Sequence, residues 1–190
     1  IETYCRIDMI FTKTNLQDLM LIEPTVHGDQ RGYFMESFKK DLFNKHCGDI
    51  QFIQDNESKS SKGVLRGLHY QRPPFAQSKL VRVTSGEVLD VVVDMRTSAL
   101  TFGQSYSVVL SESNKKQLFV PKGFAHGFIV LSEFATFSYK VDAIYCHEEE
   151  DGILWNDPDL NIDWMIDGLD VLLSEKDQKL PILKNISSPF

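Results

Sequence analysis

Short apolar runs recur along this chain at intervals of about 8 to 12 residues, the spacing of an antiparallel sandwich or barrel. From residue 50 they read IQFIQDN (50–56), GVLRGLHY (63–70), KLVRVTS (79–85) and EVLDVVVDMR (87–96). QSYSVVL (104–110), KQLFVP (116–121), HGFIVLS (126–132) and ATFSYKVDA (135–143) continue the series. All are rich in Val, Phe, Tyr and Ile and are separated by Gly, Ser, Asn or Pro. No long helical pattern alternates with them, which argues against a parallel α/β sheet. Ahead of the series, a short polar segment from Met9 leads into LMLIEP (19–24), an apolar run stopped by proline. HGDQRG (27–32) reads as a turn, and YFMESF (33–38) as a strand with Phe34 and Glu36 on one face. KKDLFNKHC (39–47) predicts a short helix ended by Gly48.

The tail changes character. DPDLNIDW (157–164) is a turn with a short apolar piece, and LLSEKDQKLP (172–181) predicts a helix start. Ser174 is its N-cap and Asp177 stands at the third helical position. Residues 182–190 read as loosely ordered. There is no internal repeat or linker, so 9–190 form a single domain, with 1–8 expected to be a leader or an expression remnant.

Two-residue periodicity sorts side chains by face. Ala135, Phe137, Tyr139 and Val141 share one face, which puts a phenol among apolar neighbours. Taken alone, Tyr139 reads more readily as a core residue bonded to backbone than as a ligand group. Lys79 shares a face with Val81 and Val83. Asp90 and Asp94 share a face with Val88 and Val92, opposite Leu89, Val91 and Val93, and periodicity does not say which face is inside. His126, in PKGFAHGFIV, reads by itself as a satisfied core histidine.

With 190 residues, 42% of them hydrophobic, the chain can bury a substantial core. A net charge of −7 argues against a nucleic-acid partner. The three cysteines (Cys5, Cys47, Cys146) are scattered and odd in number, so they make neither a disulfide framework nor a zinc site. No apolar run approaches the roughly 18 to 20 residues of a membrane span, and the expectation is a soluble cytoplasmic protein.

The chemistry concentrates between Gln54 and Lys79. His69 ends an apolar run with Arg66 three residues before it, and Lys79 follows a turn at Pro73 and Pro74. An imidazole can take a proton, an ammonium can stabilise an oxyanion and a guanidinium can hold a phosphate. That set suits proton chemistry on an anionic carbonyl substrate. An exposed hairpin with incidental polar residues fits the same stretch equally simply.

The QDN and SSKGVLRGLHYQ segments, LVRV, GEV, DVVVD, TFGQ and PKGFAHGF occur in order, with DQRGYF before them and LSEKD after. In this the chain resembles the dTDP-4-dehydrorhamnose 3,5-epimerase family, from about Met9 to about Pro181. The resemblance implies a mainly β, cupin-like jelly roll (a double-stranded β-helix) with a few short helices. It implies a homodimer with no metal and no cofactor; His69 is followed by Tyr70 and Gln71, so the His-x-His pair of metal-binding cupins is absent. The implied reaction inverts C3 and C5 of dTDP-4-keto-6-deoxy-D-glucose to give dTDP-4-keto-L-rhamnose, a step in dTDP-L-rhamnose and O-antigen synthesis. By resemblance His69 is the base, Asp177 its carboxylate partner, Lys79 the cation near the C4 oxygen and Tyr139 the acid. Arg31 and Arg66 are expected on the diphosphate, and Phe34, Glu36, Gln54, Asn56 and Tyr145 on the thymidine part. The segment carrying Arg31 to Glu36 is expected to reach the neighbouring subunit's site, with His126 and Lys176 in support. Two alternatives share the pattern: an epimerase inverting only C3 or only C5, and a non-catalytic sugar-nucleotide-binding cupin module.

Overall fold

Side-chain alternation along the strands builds three apolar layers, and the cavity described below opens into the middle one. The computed structural model describes residues 9–190, and the expectation for residues 1–8 lies outside them. The strands in chain order are β1 (Met9–Lys13), β2 (Met20–Pro24), β3 (His27–Asp29) and β4 (Gly32–Phe34). Helix α1 (Lys40–Cys47) follows, then β5 (Gln54–Ser61), β6 (Leu65–Gln71), β7 (Lys79–Ser85) and β8 (Glu87–Asp94). β9 (Ser105–Ser111), β10 (Gln117–Val120), β11 (Phe124–Val130), β12 (Phe134–Val141) and β13 (Glu150–Gly152) complete the set. A six-stranded sheet runs β1-β2-β10-β7-β12-β5, and a five-stranded sheet runs β13-β6-β11-β8-β9. Pairing within both is antiparallel, and the architecture is a cupin-like jelly roll.

Between the sheets lie Val81, Val83, Val88, Val92, Phe128 and Phe137, with Tyr139 packed against them. Outside the five-stranded sheet, Leu65, Leu68, Tyr70, Val91 and Val93 meet the C-terminal segment through Ile153, Leu160 and Trp164. Outside the six-stranded sheet, Phe43 of α1 packs on Met20, Ile22, Leu80 and Phe119. β8 is buried almost throughout because it is sandwiched between two of these layers. Val88 and Val92 face the barrel interior, and Asp90 shares that parity.

The helix at Lys40–Cys47 ends as expected at Gly48, whose φ of 90° a residue with a Cβ adopts only with strain. Four expectations need correction. The run YFMESF is strand only to Phe34, because β4 has a single short partner, β3, with Gln30 and Arg31 as the turn. The run IQFIQDN is not itself the strand; β5 begins at Gln54 and continues through the polar QDNESKSS. Full backbone pairing with β12, from Gln54↔Val141 to Ser61↔Phe134, holds this edge strand in place of hydrophobicity. The stretch 172–181 forms no α-helix, only a single 3-10 turn at Asp177–Lys179, though the Asp177 N–H does donate to Ser174 Oγ at 3.1 Å. The C-terminus is tied down, because Thr97 donates to the Phe190 carbonyl at 2.8 Å and the Phe190 ring meets Tyr70 edge-on. β1 and β13, which carry weak apolar patterns, were not expected and are present.

Candidate active site

Residues three apart on a regular strand face opposite sides, yet Arg66 and His69 of β6 line one cavity. A bulge reconciles the two. His126↔His69 and Phe128↔Arg66 are register partners, so β6 spends three steps where β11 spends two. The extra residue falls at Gly67–Leu68. Leu65 and Leu68 consequently pack outward while Arg66 and His69 turn in. Gly67 has φ 132°, and a Cβ there would lie 2.5 Å from the Gly127 Cα, so the strands approach too closely for any side chain. His126 projects into the cavity beside His69.

The facing sheet supplies the other wall. Tyr139 of β12 and Lys79 of β7 point inward, on the parity expected from Phe137 and Val81. The cavity has a volume of about 520 Å³ and is completed by Phe128, Glu150, Ser174, Lys176 and Asp177. His69 and Tyr139 therefore stand on opposite walls, one from each sheet.

His69 Nε2 and Asp177 Oδ1 are 2.6 Å apart, and Asp177 is only 3% exposed. Burial alone would raise this carboxyl, but the hydrogen bond and charge of His69, with the Gly67 amide, outweigh it and hold Asp177 below its usual range. The Nδ1 of His69 is the nitrogen left to face a ligand. Burial lowers Lys79 to about 8, opposed by the charges of Asp90 and Glu150. Burial also raises Tyr139, with Arg66 opposing and Glu150 adding to it, which keeps the phenol a proton donor at neutral pH. Arg66 Nε donates to Ser60 Oγ at 3.2 Å.

Of the anticipated residues, the structure gathers His69, Tyr139, Asp177, Lys79, Arg66, His126 and Lys176 into one cavity. Arg31, Phe34 and Glu36 lie outside the cavity of their own chain. Arg31 sits at the tip of the exposed β3–β4 hairpin, where it pairs with Asp29. Gln54 and Asn56 lie on β5 and bond each other at 2.7 Å, outside the cavity lining. Tyr145 is half exposed and donates to Glu150 Oε2 at 2.6 Å. Glu150 is the site residue that sequence reasoning missed. The same Oε2 receives Lys176 Nζ at 2.5 Å, and these partners hold Glu150 low although burial would raise it. Its only signal was a run of three glutamates, which by itself reads as a solvated stretch. Among the described residues, no three His, Cys, Asp or Glu side chains converge as metal ligands. No helix of the described residues is long and apolar enough to cross a membrane.

An antiparallel jelly roll enclosing a His–carboxylate pair, a phenol and an ammonium places this chain among the cupin-like isomerases. The family model for dTDP-4-dehydrorhamnose 3,5-epimerase matches residues 13–185. The dTDP-4-dehydrorhamnose 3,5-epimerase of Shigella flexneri is 54% identical over 166 residues, covering 87% of this chain and 91% of the relative. The crystal structure of the Elizabethkingia anophelis enzyme of that name superposes with a TM-score of 0.89 at 52% identity, over 94% of this chain and 98% of the other. A Legionella pneumophila dTDP-6-deoxy-D-glucose-3,5-epimerase, solved with dTDP-4-keto-L-rhamnose, gives 0.89 at 48%, over 94% and 95%. The chain belongs to the dTDP-4-dehydrorhamnose 3,5-epimerase family.

Proposed function

We propose that this chain inverts C3 and C5 of dTDP-4-keto-6-deoxy-D-glucose, giving dTDP-4-keto-L-rhamnose. The observation that carries the reading is the convergence of His69 with Asp177, Lys79 and Tyr139 on one cavity, from two facing sheets.

The C3 and C5 protons flank the C4 ketone, so removing either gives an enolate. A neutral imidazole is too weak a base for such a proton unless the developing oxyanion is stabilised at the same time. His69 Nδ1 removes the proton, while Asp177 fixes the ring through Nε2 and stabilises the imidazolium that forms. The Lys79 ammonium faces the C4 oxygen as negative charge builds there. Tyr139, on the opposite wall, returns a proton to the other face of the ring, and a base on one side with an acid on the other is what inversion requires. Each carbon is inverted by the same removal and return.

Arg66, an exposed member of the cavity lining, binds the diphosphate and supplies binding energy remote from the reacting carbons. In the assembled enzyme, a homodimer, the β3–β4 hairpin carries Arg31, Phe34 and Glu36 to the neighbouring subunit's nucleotide, and Gln54, Asn56 and Tyr145 complete the thymidine contacts. The exposure of this hairpin, with Phe34 67% and Tyr33 58% exposed, supports that reading. The enzyme acts in the cytoplasm, in dTDP-L-rhamnose synthesis, and needs no metal, because Lys79 supplies the positive charge at C4.

The test is proton NMR of the product formed from dTDP-4-keto-6-deoxy-D-glucose in deuterated water. Inverted product carrying deuterium at both C3 and C5 is expected. Unchanged substrate, or inversion at one carbon alone, would overturn the reading.

A further inference from the structure

Gln71 lies on β6 two residues after His69, is 5% exposed, and is the register partner of Glu150 on β13. Its Oε1 accepts the Cys146 N–H at 2.8 Å, from a point 75 residues further along the chain. Its Nε2 is buried and meets no hydrogen-bond acceptor among the described residues. An amide buried with its NH2 unmet is costly, and what this one holds in return is the Cys146 backbone. Cys146 ends the segment 142–146, which joins β12 to the 3-10 turn at His147–Glu149 and belongs to no strand or helix. Side chains and single amides fix it instead. The Ser78 N–H donates to Asp142 Oδ1 at 2.7 Å, and Gln77 Nε2 donates to the Ala143 carbonyl at 2.8 Å. Between these ties and Gln71 stand Ile144 and Tyr145, 59% and 51% exposed. The Tyr145 hydroxyl is engaged by Glu150, a cavity residue, so the ring is held at one end while half its surface stays open.

We propose that Gln71 and Gln77 are positioning residues that clamp the segment 142–146 at its two ends and so hold the Tyr145 ring in place for the nucleobase. The inference rests on the reading of Tyr145 as a thymidine contact. An aromatic ring on a segment already fixed loses little freedom when a flat ligand settles on it, so more of the contact energy appears as affinity. Gln71 is the stronger of the two ties, because its loss would leave the Cys146 N–H without its partner in a partly buried place. The strand that carries Arg66 and His69 thereby also sets the base end of the site.

The test is calorimetry of dTDP and of inorganic pyrophosphate on wild-type protein, Gln71→Met, Gln77→Met and Tyr145→Ala, with steady-state kinetics of epimerisation beside it. Gln71→Met keeps the length and bulk of the side chain but removes the acceptor. Its dTDP affinity is expected to fall about five- to tenfold, and KM to rise as much. Its kcat should stay within about twofold of wild type and its pyrophosphate affinity should not move. Gln77→Met cuts the other tie from a half-buried position and should move the same readouts in the same direction, so it decides the matter if Gln71→Met does not fold. Amide exchange of a peptide spanning 142–146 should quicken in both variants before any ligand is added. Wild-type dTDP affinity in the folded variants, or equal losses of dTDP and pyrophosphate, or a fall in kcat with KM unchanged would overturn the inference. Tyr145→Ala separates it from the reading beneath it. Unchanged dTDP affinity there would overturn the thymidine role of Tyr145 itself, whereas a loss there without one in the glutamine variants would overturn the positioning alone. Wild-type protein that binds dTDP but does not epimerise the sugar would overturn the proposed reaction, while the binding arms still decide whether the clamp holds.

Discussion

At the scale of single residues, the chemistry depends on which nitrogen of His69 faces the cavity. The 2.6 Å contact to Asp177 engages Nε2, which leaves Nδ1 as the nitrogen for the base role proposed above. Asp177→Asn keeps the shape but loses the charge that stabilises the imidazolium, and turnover is expected to fall roughly a hundredfold or more. The same pair links the site to acid stability. The carboxyl of Asp177 lies below its unfolded value, so its contribution to stability is present above the ordinary carboxylate range and disappears as pH falls through the lowered value. Asp177→Asn should therefore flatten the acid side of the thermal stability profile, measured by unfolding midpoints from pH 3 to 6. An unchanged acid limb would show that the pair is not formed in solution.

At the scale of elements, the β6 bulge is the device that makes a site out of a strand. Arg66 and His69 were legible as candidates because they flank an apolar run, and Gly67 within that run is a mark of irregular backbone. That the irregularity turns both side chains to one cavity was not legible, because it depends on the register with β11. Gly127 shows how tight the crossing is: a Cβ there would lie 2.6 Å from the Arg66 carbonyl oxygen, a backbone atom that cannot rotate away. Gly127→Ala is expected to destabilise the fold by about 1–3 kcal/mol, with activity falling further than stability because Arg66 and His69 shift together. A variant with wild-type midpoint and activity would show that the strands stand further apart. β5 marks the opposite limit of sequence reading. Its inward positions, Asn56, Ser58 and Ser60, are polar, so hydrophobic periodicity places the strand too early. The inward faces of β7 and β12 were legible because apolar neighbours frame Lys79 and Tyr139.

At the scale of the whole molecule, two sheets pack face to face and each lines one wall of the cavity. His69 and His126 come from the five-stranded sheet, and Lys79 and Tyr139 from the six-stranded one. The pairing of His69 with Asp177 spans 108 residues of sequence, and Glu150 lies more than 70 residues from either Lys79 or His69. Such distances are why the residues alone offered His69, Arg66 and Lys79 as candidates, while Asp177 and Tyr139 entered the expected site only through the family resemblance. The C-terminal segment closes the outer face of the five-stranded sheet and carries Asp177 to His69, and even its last part, 182–190, which looked loose by composition, packs there. The β3–β4 hairpin lies outside the cavity of its own chain and is proposed to serve a neighbouring subunit's nucleotide. The central claim is thus one of geometry: an imidazole on one wall removes a proton and a phenol on the other replaces it. Deuterium incorporation and net inversion, measured together by NMR for His69→Ala and Tyr139→Phe, test it most directly. The account predicts that His69→Ala loses exchange at both C3 and C5, whereas Tyr139→Phe retains exchange but loses inversion. Exchange surviving in His69→Ala, or equal loss of exchange and inversion in Tyr139→Phe, would contradict it.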